Sequence, residues 1–88
     1  MYNYQTERKY VFTEEGQVQF LRIRDKVKNL LNLSGAVRMD KAIGGETGNS
    51  WGMLACVDRL VELKELEELT DKNTAGQGQF RVFISTVR

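Results

Sequence analysis

Hydrophobic positions along this chain shift from steps of three and four residues to steps of two, and the shift marks out its elements. Phe20, Ile23, Val27 and Leu30 or Leu31 recur at helical spacing, predicting a first helix from Glu14 to about Asn32 with one apolar face. Thr13 precedes it as an N-cap, and Glu14 and Glu15 suit the positive end of its dipole. Met53, Val57 and Leu60, flanked by Leu54, Val61 and Leu63, predict a later helix, 49–63, capped by Asn49 or Ser50. Near the carboxyl end Phe80, Val82 and Ile84 alternate with Arg81, Phe83 and Ser85, the period of a strand from Phe80 to Val87.

The connecting stretches carry their own signals. Ser34 and Gly35 close the first helix, and Ala36 to Arg38 suit a short strand. Asp40 is placed to cap a brief second helix over Lys41, Ala42 and Ile43. Gly44, Gly45 and Gly48 then form a mobile turn around Glu46 and Thr47. GGETG lacks the spacing and lysine of a phosphate loop. Lys64 falls where the third helix stops, a position that favours a left-handed backbone. Leu66 and Leu69 lie in a strand with Glu65, Glu67, Glu68 and Thr70, joined by a turn-rich loop (Asp71 to Gln79) to the last strand as a β-hairpin. Met1 to Lys9 is polar and reads as a flexible or loosely docked arm; Tyr10, Val11 and Phe12 read as a short strand or a hydrophobic staple. The expected division is an arm over 1–12 and one α+β domain over 13–88, with three helices and a small antiparallel sheet.

Composition narrows the chemistry. The chain is 41% hydrophobic and 28% charged, with no histidine, no proline and a single cysteine. Without histidine, and with Cys56 alone, there is no activated nucleophile and no metal-ligand set. The carboxylates of ELKELEEL lie on solvated positions with no pocket to shift them toward acid–base work. The expectation is therefore no enzyme, no cofactor, no metal and no small-molecule substrate. No apolar run approaches membrane-spanning length and the amino terminus has no signal-peptide core, so the expected setting is a reducing cytoplasm. Net charge is +1, but residues 1–44 carry eight cations against five carboxylates, and residues 45–88 five against seven. Arg22, Arg24, Lys26 and Lys28 on the first helix read as a solvated face.

The order of helix, short strand, short helix, turn, long helix and hairpin resembles the winged helix-turn-helix superfamily. The residues that carry the likeness are VDRLVELKELEEL (Val57 to Leu69) and QFRVFI (Gln79 to Ile84). The resemblance implies a third helix that enters the major groove of double-stranded DNA and a wing, 70–80, that contacts its backbone or minor groove. Placed by position, Asn49, Ser50 and Gly52 would face the groove and Arg59 would lie further along the helix. Lys72, Asn73, Thr74, Gln77, Gln79 and Arg81 would populate the wing. The implied function is transcriptional regulation, with a dimer doubling a small number of contacts; the short single-domain build suits a phage or mobile-element regulator.

Two features of the residues pull against plain DNA reading. The third helix has no cation before Arg59, while Glu46, Asp58 and Glu62 surround it, so phosphates would have to be met by Arg8, Lys9, Arg38 or Lys41. Its first half is also apolar on nearly every side, with Trp51, Ala55 and Cys56 flanking the core stripe. Two readings of those flanking residues stay open. Trp51 folds back against the amino-terminal segment, near Tyr10 or Phe12, or Trp51, Ala55 and Cys56 form a surface for a protein partner or a second copy. Cys56 by itself reads as a small buried hydrophobe.

Overall fold

A computed structural model describes residues 2–69 and 81–86 of the 88-residue chain. The elements are α1 (Tyr4–Val11), α2 (Glu14–Ser34), β1 (Ala36–Arg38), α3 (Met39–Ala42), α4 (Ser50–Glu62), β2 (Leu66–Leu69) and β3 (Val82–Ser85). The α+β class and the antiparallel sheet are as expected, but the described residues hold four helices rather than three.

The extra helix is the segment expected to be an arm. Asn3 caps α1 by accepting a hydrogen bond from the Thr6 amide, and Phe12 ends it, so Tyr10 to Phe12 is neither strand nor staple. An eight-residue helix is too short to persist alone in water. It is held by tertiary contact: Val11 is fully buried in the same core as α2, α4 and the sheet.

The remaining boundaries follow local chemistry. Thr13 caps α2 through the Gly16 amide, and Gly35 ends it at φ 79°, a conformation glycine adopts without a Cβ penalty. Arg38, not Asp40, holds the N-cap position of α3 and makes no side-chain cap; Asp40 lies inside the first turn. Asn49 caps α4 through the Gly52 amide. Lys64, just beyond α4, takes φ 62°. A lysine there carries the left-handed cost that the stop requires.

The sheet has the order β1-β3-β2, with both pairs antiparallel. Val37 lies opposite Phe83, which lies opposite Glu68, and Leu66 lies opposite Ser85. Val37, Phe83 and Leu66 are buried, so this is the inner face. Ala36, Ile84 and Glu67, with Arg38, Val82 and Leu69, form the outer one. The sequence period located β3 and separated its two sets of residues. The set Arg81, Phe83 and Ser85 is the inward one, because Phe83 meets Val37 and the core while Arg81 finds carboxylate partners inside. Residues 70–80, and with them the expected wing and Phe80, lie outside the described residues.

The core gathers Val11, Phe20, Ile23, Val27, Val37, Met39, Leu60, Leu66 and Phe83 around α4. Lys64→Gly tests the stop after α4. Removing the Cβ from a φ 62° position should raise stability by about 0.5–1 kcal/mol, read as a higher urea midpoint with an unchanged m value.

Candidate interaction face of the fourth helix

α4 is the most enclosed element of the fold. Gly52 through Asp58 and Leu60 are all buried, a consequence of α1 and α2 packing on two of its sides and the sheet on a third. One of these contacts is made by Tyr10. Its ring lies against Gly52, where an added Cβ would come within 2.5 Å of Cδ2, and its carbonyl oxygen lies 1.8 Å from where a Cβ on Gly16 would stand. Both glycines are therefore sites of close approach, on the first turn of each helix that Tyr10 touches.

Tyr10 also ties the turn before α4 to α2. Its hydroxyl donates to buried Gln19 Oε1 at 2.6 Å, and Gln19 Nε2 donates to the Thr47 carbonyl at 3.1 Å. Arg22 pairs with Glu46 at 3.0 Å, and Lys26 donates to the Gly44 carbonyl. The glycine-bearing turn is thus held by α2 rather than left free.

Two carboxylates on α4 organise its outward side. Asp58 accepts from the Tyr2 hydroxyl at 2.5 Å and from both terminal nitrogens of Arg81 at 2.7 and 3.1 Å. Arg81 also pairs with Glu68 at 2.7 Å, so one guanidinium joins α4 to the two neighbouring strands. One turn on, Glu62 accepts from Tyr4 at 2.6 Å, Arg8 at 2.9 Å and Arg59 at 2.7 Å. The Arg8 and Arg59 guanidinium carbons lie 4.9 and 5.0 Å from the centre of the Phe12 ring, which remains 51% exposed. Such cation–π contacts keep a half-exposed aromatic in place.

The titration behaviour follows from these bonds. The Tyr4, Arg59 and Arg8 donors hold the Glu62 carboxyl down at about 2. Burial, then the bond to Glu62, pushes Tyr4 up to about 12, and burial with the Asp58 bond raises Tyr2 as well. The Glu68 and Asp58 partners raise Arg81 further above its ordinary range. Burial pushes the Cys56 thiol up to about 12, so at neutral pH it is an unreactive core group.

The residues singled out from the sequence have separate fates. Asn49 and Ser50 are exposed at the start of α4, but Gly52 is covered by Tyr10. Arg59 and Arg81 are engaged in the ion pairs above and offer no free guanidinium. Ala55 and Cys56 are fully buried and present no atom to a partner, whereas Trp51 is 43% exposed. Of the cations expected to meet phosphates, Arg8 and Arg38 are paired with Glu62 and Asp40, and Lys9 and Lys41 are exposed. Lys72, Asn73, Thr74, Gln77 and Gln79 lie outside the described residues. Tyr2, Tyr4 and Gln19 were not marked as site residues by the sequence, since tyrosines in a polar segment carry no periodic signal, and Glu62, expected to be a solvated carboxylate, is instead held by Tyr4, Arg59 and Arg8. Gly16, in the first turn of a helix, was the available hint of close packing.

A groove of about 710 Å³ lies between α2 and the sheet, its apolar lining formed by Val27, Leu31, Leu60, Leu66 and Ile84. Among the described residues, no group of three or more acidic, cysteine or histidine side chains could hold a metal, and no helix is long and apolar enough to cross a membrane. No family model, curated protein or solved structure matches the chain.

Two expectations follow. Because the folded pKa of Glu62 lies below its unfolded value, its contribution is present above about pH 4.5 and lost as pH falls toward about 2. Tyr4, raised from 10.0 to about 12, contributes below pH 10 and loses that contribution between those values. Urea midpoints against pH should fall in both windows, with Glu62→Gln flattening the acid arm and Tyr4→Phe the alkaline one. Arg81→Ala leaves Asp58 and Glu68 without their shared partner and should destabilise the fold by about 2–4 kcal/mol in the same assay.

Proposed function

We propose that this chain is a small protein-interaction module, built in the winged helix-turn-helix order, that anchors a protein partner at Trp51. The helix sequence and the β1-β3-β2 sheet support that order. The observation that carries the reading is the covering of α4: Tyr10 of α1 lies on Gly52, one of the positions the resemblance assigns to the groove, and Trp51 is the large aromatic α4 leaves exposed. Exposed tryptophans are enriched among residues that dominate binding energy, because they bury a large rigid area at little entropic cost.

Duplex DNA as the partner draws support from the same element order and from Asn49 and Ser50, exposed at the positive end of α4. Its charge balance is poorer. Arg8, Arg22, Arg24, Arg38, Arg59 and Arg81 all sit in ion pairs, so among the described residues phosphate contacts would fall to lysines such as Lys9 and Lys41. A protein surface needs no such surplus of cations.

Trp51 is the single tryptophan, so its emission reports its own surroundings. Immobilised protein should retain from cell extract a partner that Trp51→Ala releases, with affinity lowered roughly thirtyfold and the circular dichroism of the variant unchanged. A shift of Trp51 emission on adding random-sequence duplex at low salt, abolished by added salt, would put the DNA reading in its place.

A further inference from the structure

The junction between α1 and α2 is a two-residue corner. Phe12, at φ −93° and ψ 2°, lies in the bridge region, and Thr13, at φ −79° and ψ 162°, is extended. Returning these two residues to helical dihedrals would join residues 4–34 into one continuous helix about 45 Å long. No proline stands in the way, since the chain has none. What holds the corner is local: the Thr13 hydroxyl donates to the Tyr10 carbonyl at 2.7 Å and accepts from the Gly16 amide at 3.0 Å, and the Gln17 side-chain amide donates to the Val11 carbonyl.

Beyond the corner, α1 is fixed by Val11 in the core, by the Tyr10 hydroxyl on Gln19 of α2, and most extensively by α4, through Tyr4 and Arg8 to Glu62, the Tyr10 ring on Gly52 and, just before the helix, Tyr2 to Asp58. None of these contacts depends on α1 belonging to the same chain. We propose that α1 is an exchangeable element, and that the α4 seam accepts the α1 of a second copy in a reciprocal dimer. Each copy then remakes the seam in trans while its corner opens into a straight helix. The seam is isologous by construction, because donor and acceptor sit on the same chain and a twofold closes the pair. In dilute solution the tethered α1 wins, since its effective concentration is on the order of millimolar. At comparable protein concentration the second copy competes. This inference concerns the α1–α4 seam and stands or falls independently of Trp51.

Two substitutions at the corner separate the forms. Thr13→Ala removes the cap that only the closed corner uses and adds a strong helix former to the straight one. Across the two corners of a dimer it should tighten association roughly thirtyfold or more. Thr13→Gly loses the same hydroxyl but remains an acceptable cap and disfavours the continuous helix, so it should stay monomeric. Light scattering after size exclusion reads the mass of each up to about millimolar concentration. Isotope-filtered NOEs on a mixed labelled and unlabelled Thr13→Ala dimer should show Tyr10 ring protons of one copy against Gly52 of its partner. A Thr13→Ala protein that is monomeric throughout, or a dimer whose Tyr10–Gly52 contact stays within one chain, overturns the proposal. If Thr13→Ala does not fold, the unmodified chain is annealed near its unfolding midpoint at about millimolar concentration, and absence of dimer there overturns it equally.

Discussion

Tyr10 fits against the fold only because both Gly16 and Gly52 lack a side chain, and the rest of the architecture depends on that fit. A Cβ on Gly16 would overlap the Tyr10 backbone and one on Gly52 would overlap its ring. With both spaces open, α1 lies down on α4, Val11 enters the core and the Tyr10 hydroxyl reaches Gln19. Packing at this density leaves little slack, so a single added carbon at either site would have to displace backbone or ring.

The polar bonds of the seam follow from the same docking. Once α1 is down, Tyr2 and Tyr4 stand over Asp58 and Glu62, and both carboxylates are satisfied by tyrosine and arginine together. A carboxylate as buried as Asp58 is tolerable only with such partners. Arg81, Arg59 and Arg8 are consumed in satisfying these acids. The same cations are then held by carboxylates rather than free to neutralise a polyanion. What α4 leaves exposed is its first turn, with Ser50 and Trp51 after the Asn49 cap, and its last residue, Glu62.

Much of the candidate site could not be read from residue order. Helical spacing marked α4 as apolar nearly all round, which correctly implied cover on several sides, but it could not say which segment did the covering. The polar arm was unreadable as a helix because α1 owes its stability to tertiary contact rather than to a long amphipathic repeat. Trp51, Ala55 and Cys56 looked alike as flanking apolar residues, yet only Trp51 is open to solvent, a distinction set by where α1 and α2 cross the helix. Arg81 in an alternating strand looked like an outward cation; its inward place depends on Asp58 and Glu68 arriving from other elements.

By itself the sequence determined the local elements: the Thr13 and Asn49 caps, the Gly35 and Lys64 stops, the spans of α2 and α4, and the positions of β1, β2 and β3. These are decided by hydrogen bonds and periodicities within a few residues, so they are written in residue order. The tertiary structure decided that α1 exists, which face of β3 turns inward, and that the arginines near α4 are paired rather than free. Those outcomes rest mainly on residues far apart in the chain, from Arg81 with Asp58, 23 positions apart, to Tyr2 with Asp58, 56 positions apart, whose meeting no local pattern encodes.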